Sequence, residues 1–240
     1  MAEAGWAPAV QLSEDSELGA ALEALALHPP RPTLVLVGGA AGLDKAAMDG
    51  LRPVFADAIA PVVQKYGAVG IDGGTRFGVM RLFGETRAAR QATFPLVGVV
   101  AAGAVDLHRE EDLARVGTAL EPNHTQFVVV PGDQWGAEAP WMARAATVLA
   151  GATGSGTVLV NGGQIAYADV EHSVEAGRAV LVVSGSGGTA DVFAAALAGA
   201  SDDRRAAALV DSGLISSAPK DDPAALVELL TAALGTSTSR

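Results

Sequence analysis

Four short apolar runs in this chain end in paired glycines: LVLVGG at 34–39, AVGIDGG at 68–74, TVLVNGG at 157–163 and AVLVVSGSGG at 179–188. Each is rich in Val, Leu or Ile, and each precedes a segment with helical spacing. A strand that empties into a glycine turn and then a helix leaves the first helical amides without carbonyl partners. Those amides aim at one spot, where the helix dipole adds partial positive charge. Strands that are apolar throughout, rather than alternating, belong in a sheet covered on both faces. Strand–helix alternation with right-handed crossovers then predicts an α/β chain: a Rossmann-like, doubly wound, mostly parallel sheet with helices on both faces, in a single domain. In such a sheet all four corners lie along one edge, which would make that edge a rim for an anionic ligand.

The rest of the chain fits around that core. Residues 1–32 read as a peripheral amino-terminal segment, with a short helix near 17–27 stopped by His28-Pro29-Pro30. The Rossmann-like domain is expected over 33–200, with strands at 33–39, 68–72, 95–101, 126–131, 157–161 and 179–184. Helices are expected at 43–65, 77–91, 140–150, 164–177 and 189–200, the first interrupted by Pro53 and Pro61. Residues 201–240 read as a helical extension packed on the same domain, with an edge strand near 214–217. The polar stretch 102–124 is too long for a tight connection and is expected to be a helical excursion or a lid over the ligand.

Composition narrows the partners. The 29 glycines gather at strand ends and so reflect turns rather than low complexity. The net charge of −11 disfavours nucleic acid, which needs a basic surface, but not a phosphate ligand held by backbone amides. No apolar run is long enough to span a membrane, and the amino terminus has no basic residue ahead of an apolar stretch, so a cytoplasmic protein is expected. There is no cysteine, and the four histidines show no ligand spacing, so no metal site is expected. Homodimerisation through helix faces rich in Ala is compatible with the sequence but not specified by it.

The candidate ligand-binding residues follow from the corners. Gly38 and Gly39 form the first. In the second, Asp72 is a candidate for ribose hydroxyls or a general base, Gly73, Gly74 and Gly78 allow close backbone approach, Thr75 caps the helix, and Arg76 supplies a bidentate cation. Asn161, Gly162 and Gly163 form the third. The fourth, Ser184, Gly185, Ser186, Gly187, Gly188, Thr189 and Asp191, combines hydroxyls and amides at a helix start and satisfies G-x-G-x-x-A, although that fingerprint normally serves the first strand of a domain. Asp191 also fits as a first-turn helix charge. Trp135, after the strand at 126–131, lies on the glycine edge and could stack on a base or cap the core. His124, just ahead of that strand, is expected at the opposite edge.

With those motifs, the chain resembles the SLOG superfamily, and within it the prokaryotic stand-alone relatives of the amino-terminal domain of TRPM channels. The similarity is carried by VGG at 37–39, GIDGGTRFGVM at 70–80, FVVVPGD at 127–133, VLVNGG at 158–163 and VVSGSGGTAD at 182–191. The resemblance implies a Rossmann-like fold and a nucleotide-derived ligand of the ADP-ribose or NAD class, bound as a sensor, with no certain cofactor. The sister LONELY GUY phosphoribohydrolases, which cleave nucleoside monophosphates into base and ribose phosphate, have motifs similar to 72–80 and 184–192. Here Asp72 replaces their first glycine, Ser184 a proline, Ser186 a glycine, and Asp191 and Val192 an acidic pair. The alternative the resemblance implies is therefore an N-glycosidic hydrolase, with Asp191 its catalytic candidate and loss of the second acid counting against turnover.

Overall fold

The computed structural model describes residues 7–40, 43–105 and 119–235. Of the expected lid, residues 106–118 lie outside the described residues. In chain order the elements are β1 (Ala9–Gln11), α1 (Leu18–Ala24), β2 (Thr33–Gly38), α2 (Lys45–Pro53), α3 (Ala60–Lys65), β3 (Val69–Asp72), α4 (Gly78–Ala89), β4 (Leu96–Ala101), β5 (Gln126–Val130), α5 (Ala139–Ala150), β6 (Ser155–Val160), α6 (Gln164–Glu175), β7 (Ala179–Ser184), α7 (Gly188–Leu197), α8 (Arg204–Val210), β8 (Ile215–Pro219) and α9 (Pro223–Gly235).

Among the described residues the strands form one sheet of eight in the order β1-β5-β4-β3-β2-β6-β7-β8, and every neighbouring pair is parallel. The Rossmann-like α/β architecture is thus present, and fully rather than mostly parallel. From β2 the chain builds outward through β3, β4 and β5, then returns to set β6 against the other side of β2. That reversal is a topological switch point, the place where open α/β sheets form their ligand crevice. Because β3, β2, β6 and β7 are consecutive neighbours, their four glycine corners stand side by side on the carboxyl edge.

Side chains on successive strand residues alternate between two cores. Val35 and Val37 of β2 face a cluster made with α1, α5, α6, α7 and α8 through residues such as Leu22, Trp141, Val170, Phe193 and Ala206. Leu34 and Leu36 face a second cluster with α4 and α9 and the helical stretch from α2 to α3, through Phe83, Leu230, Phe55 and Val63. Each fully buried Leu, Val or Phe contributes about 1.5–3 kcal/mol, so covering both faces dominates the stability of the sheet. The two prolines of the long helix do not break it. The chain stays helical from Lys45 to Lys65, widening to a π-helix over Val54–Ile59 between Pro53 and Pro61, where each proline removes an amide from the regular ladder.

β1 was not anticipated: three residues pair with β5 at one edge of the sheet. The strand expected near 214–217 is β8, which closes the other edge beside β7, and α9 lies over it. Among the described residues no helix is long and apolar enough to cross a membrane.

Candidate functional site

The corners touch one another, and that contact dictates glycine. A side chain at Gly78 would put Cβ 1.8 Å from the Gly39 carbonyl oxygen, and one at Gly188 would put Cβ 2.2 Å from the Gly162 oxygen. Backbone bonds stitch the same junctions: Val79 N–H donates to Gly39 at 3.0 Å, Thr189 N–H to Gly162 at 3.0 Å and Ala190 N–H to Asn161 at 2.9 Å. Asn161, in the left-handed region at φ 57°, joins the third corner to the fourth. Its N–H donates to Ser186 Oγ at 2.8 Å, its Nδ2 to the Ser186 carbonyl at 2.8 Å, and its Oδ1 accepts from Gly162 N–H at 2.8 Å.

A cavity of about 900 Å³ opens beyond the carboxyl ends of the paired strands β2 and β6. Of the residues singled out from the sequence, its walls bring together Gly38, Gly39, Gly73, Arg76, Gly78, Asn161, Gly162 and Gly163, and Trp135 lies with them. α4 and α6 start at this cavity, and no side chain caps the N-terminus of either. α2 and α8 behave differently: Asp44 accepts from Ala47 N–H and Asp203 from Ala206 N–H. Uncapped first-turn amides facing a cavity are the donors that an anion satisfies. Arg76 stands exposed beside them, its Nε donating to the Leu120 carbonyl at 2.9 Å, and has no carboxylate partner among the described residues. Arg81, also at the cavity, is paired with Glu85 at 2.6 Å.

The fourth corner is arranged otherwise. Ser184, Gly185, Ser186, Gly187, Gly188, Thr189 and Asp191 are not among the cavity walls. The Asp191 carboxylate accepts from Gly185 N–H at 2.6 Å and Gly187 N–H at 3.2 Å, so the anion on these amides is the chain's own. Ser186 Oγ donates to the Val183 carbonyl at 2.5 Å and Thr189 Oγ1 to the Gly163 carbonyl at 2.8 Å. In this structure the hydroxyls brace the rim.

The second corner departs from expectation at three side chains. Thr75 is not the helix cap, because α4 starts later and its N-cap is Phe77. Thr75 and Asp72 are fully buried and line no part of the cavity. His124 is not at the far edge. Residues 119–121 run back antiparallel beside 74–76, with Glu121 N–H donating to Gly74 at 2.9 Å and Arg76 N–H to Ala119 at 3.1 Å, and this carries His124 to Asp72. Its Nε2 lies 2.7 Å from Asp72 Oδ1 and its Nδ1 2.9 Å from Glu121 Oε2. Burial opposes the imidazolium, but the charges and hydrogen bonds of Asp72 and Glu121 outweigh it and push the His124 pKa up to about 9. Asp72 Oδ1 also accepts from Gly74 N–H at 2.7 Å. The triad therefore fixes the Gly73–Arg76 turn from behind. α4 makes room for it at Gly84, where a Cβ would lie 2.0 Å from Glu121 Oε2.

Two carboxylates in the cavity carry no sequence motif. Glu138, at the N-cap of α5, and Asp169, in the second turn of α6, both line it. Burial raises the Glu138 pKa. Burial, and then the charge of Glu138, push Asp169 up to about 7. One signal was available in the sequence: Asp169 falls on the buried stripe Ala166, Val170, Ser173 of its helix, where an acid is out of place.

A family model described as SLOG in TRPM, prokaryote, matches residues 31–228. The chain belongs to this SLOG family. The match covers all four corners and the residues lining the cavity, and membership supports a nucleotide-related function. No curated protein matches this SLOG chain. Among solved structures, one titled as the X-ray structure of TM1055, a structural genomics target, is similar at 19% identity and a TM-score of 0.53. The match covers 82% of this chain and 98% of that one, and at that identity it speaks for the fold alone.

Proposed function

We propose that this SLOG protein is a soluble, cytoplasmic sensor that binds a nucleotide-derived phosphate ligand of the ADP-ribose or NAD class at the switch point between β2 and β6. The observation that carries the reading is the convergence of two side-chain-uncapped helix starts, α4 and α6, on one cavity beside Arg76. The diphosphate rests on amides of the turns at Gly78 and Gly163, with Gly38, Gly39 and Gly73 admitting close approach and Arg76 adding a charge-assisted bond. Trp135 offers a face for a ring. A cavity of about 900 Å³ is of the size that holds such a molecule. Asn161, Gly162, Asp72, Thr75 and the residues of the fourth corner build the rim and its support, with Asn161 also within reach of the ligand.

Calorimetry with ADP-ribose, NAD, AMP and cyclic nucleotides, alongside mass spectrometry of small molecules released from freshly purified, denatured protein, tests this. Binding of at least one is expected. Folded protein that gives no heat with any of them and releases no nucleotide contradicts it.

A second reading, N-glycosidic hydrolysis of a nucleotide, draws support from Glu138 and Asp169, which offer acid and base groups inside the cavity. Asp191, the catalytic candidate from the sequence, has its carboxylate engaged with Gly185 and Gly187. Incubation with AMP, IMP and NAD followed by chromatography separates the readings: a sensor releases no free base.

A further inference from the structure

The cavity spans the carboxyl edge of the sheet from one face to the other. Arg76 and Arg81 flank or belong to α4, which packs in the core containing Phe83. Glu138 and Asp169 belong to α5 and α6, which pack in the opposite core with Trp141 and Val170. The walls therefore carry cations on one side and anions on the other. We infer that the end formed by Glu138, Asp169 and Trp135 is a recognition site for an organic cation, so that a ligand held at the glycine rim by its phosphates carries a positively charged nitrogen heterocycle beyond them.

The inference rests on the proposed ligand class and narrows it. Asp169 is 8% exposed, and its Oδ1 has no hydrogen-bond partner. Glu138 accepts from Gly136 N–H at 3.0 Å, and neither acid has an ion-pair partner among the described residues. Two neighbouring carboxylates withdrawn from water repel one another and lose hydration. A sugar diol satisfies lone pairs on one of them and leaves that repulsion in place. A cation between them offsets both costs. Trp135 is 43% exposed at the same end, and an indole face beside carboxylates is a favourable setting for a cationic ring. Ile165, also 43% exposed there and in contact range of Gly136, adds the apolar wall a planar ring needs. Burial first and the Glu138 charge second hold the Asp169 carboxyl up at about 7, and a cation beside it would draw that value down.

The test is calorimetry on the full chain with oxidised and reduced nicotinamide adenine dinucleotide, which share phosphates and sugars and differ in the nicotinamide ring's charge, plus ADP-ribose as the probe without nicotinamide. The oxidised form is expected to bind tighter than the reduced by about tenfold or more. Asp169→Asn should bring the two within about threefold, since the amide keeps the shape and one acceptor oxygen but removes the charge. Glu138→Gln gives a second, independent variant with the same expectation. Equal affinity for both dinucleotides in the unaltered protein, with ADP-ribose binding, overturns the inference while leaving the ligand class standing. A preference that persists unchanged in both variants also overturns it. Failure of all three compounds to bind overturns the inference together with the ADP-ribose or NAD class on which it rests.

Discussion

The turn after β6 and the turn after β7 both lead a parallel strand through glycines into a helix. α6 nevertheless starts with no side-chain cap at the mouth of the cavity, whereas Gly185 and Gly187 before α7 donate to Asp191. The G-x-G-x-x-A match falls on the second of these, and the open amides on the first. Both corners therefore turn glycine amides towards the carboxyl edge, and what separates them is that after β7 the chain sets its own carboxylate on those amides. Asp191 takes the turn amides ahead of α7, and the Gly162 and Asn161 carbonyls take Thr189 and Ala190 N–H inside its first turn.

The largest expected effect concerns the support behind the open rim. His124→Ala leaves Asp72 and Glu121 buried without their cation and should cost about 3–5 kcal/mol of stability, read by chemical denaturation at neutral pH. The same imidazolium sets a pH window. Its folded-state pKa, about 9, exceeds the free value of 6.5, so its contribution is fully present below pH 6.5 and is lost as pH rises through 9. Asp169 acts in the reverse sense. A carboxyl held up at about 7 weighs against the folded state increasingly as pH rises towards that value, so Asp169→Asn should stabilise the protein more at about pH 8 than at about pH 5.

Next comes the contrast between glycines on either side of the comparison. Gly188→Ala places a methyl against the Gly162 carbonyl at φ 57° and should cost about 2–4 kcal/mol. Gly163 has ordinary φ and nothing within 4 Å of its missing Cβ, so Gly163→Ala should change stability by about 1 kcal/mol or less. Equal costs in thermal melts would break the picture of a rim packed corner to corner.

Asp191→Ala strips the closed corner of its internal anion. It should lower stability by about 1–2 kcal/mol and make the melting temperature rise with added phosphate more steeply than in the unaltered protein. The smallest change in stability, within about 0.5 kcal/mol, is expected for Arg76→Ala. There the loss should appear in ligand affinity, by about tenfold, in calorimetry with ADP-ribose.

How much of this was written in the sequence depends on its range. The corners are local: a Val- and Leu-rich run, two glycines and a helix start within ten residues, so the parallel sheet and the common edge followed, whereas the strand order did not. β1 is three residues long and gains its identity from pairing with β5, far along the chain. Asp72 and His124 are fifty-two residues apart, and only the antiparallel return of 119–121 brings them together, which no spacing rule encodes. Thr75 has a capping side chain at a corner, but the helix waits for Phe77. Glu138 and Asp169 meet through the packing of α5 on α6, and the acid on a buried stripe was their one local trace.

Amide chemical-shift mapping during titration with ADP-ribose would show whether a phosphate ligand is held at the starts of α4 and α6 and not at the turn before α7. The largest shifts are expected at Gly78, Gly163 and Gln164, with Gly185 and Gly187 nearly still. Shifts centred on Gly185 and Gly187, or none anywhere at millimolar ligand, would contradict that placement of the ligand.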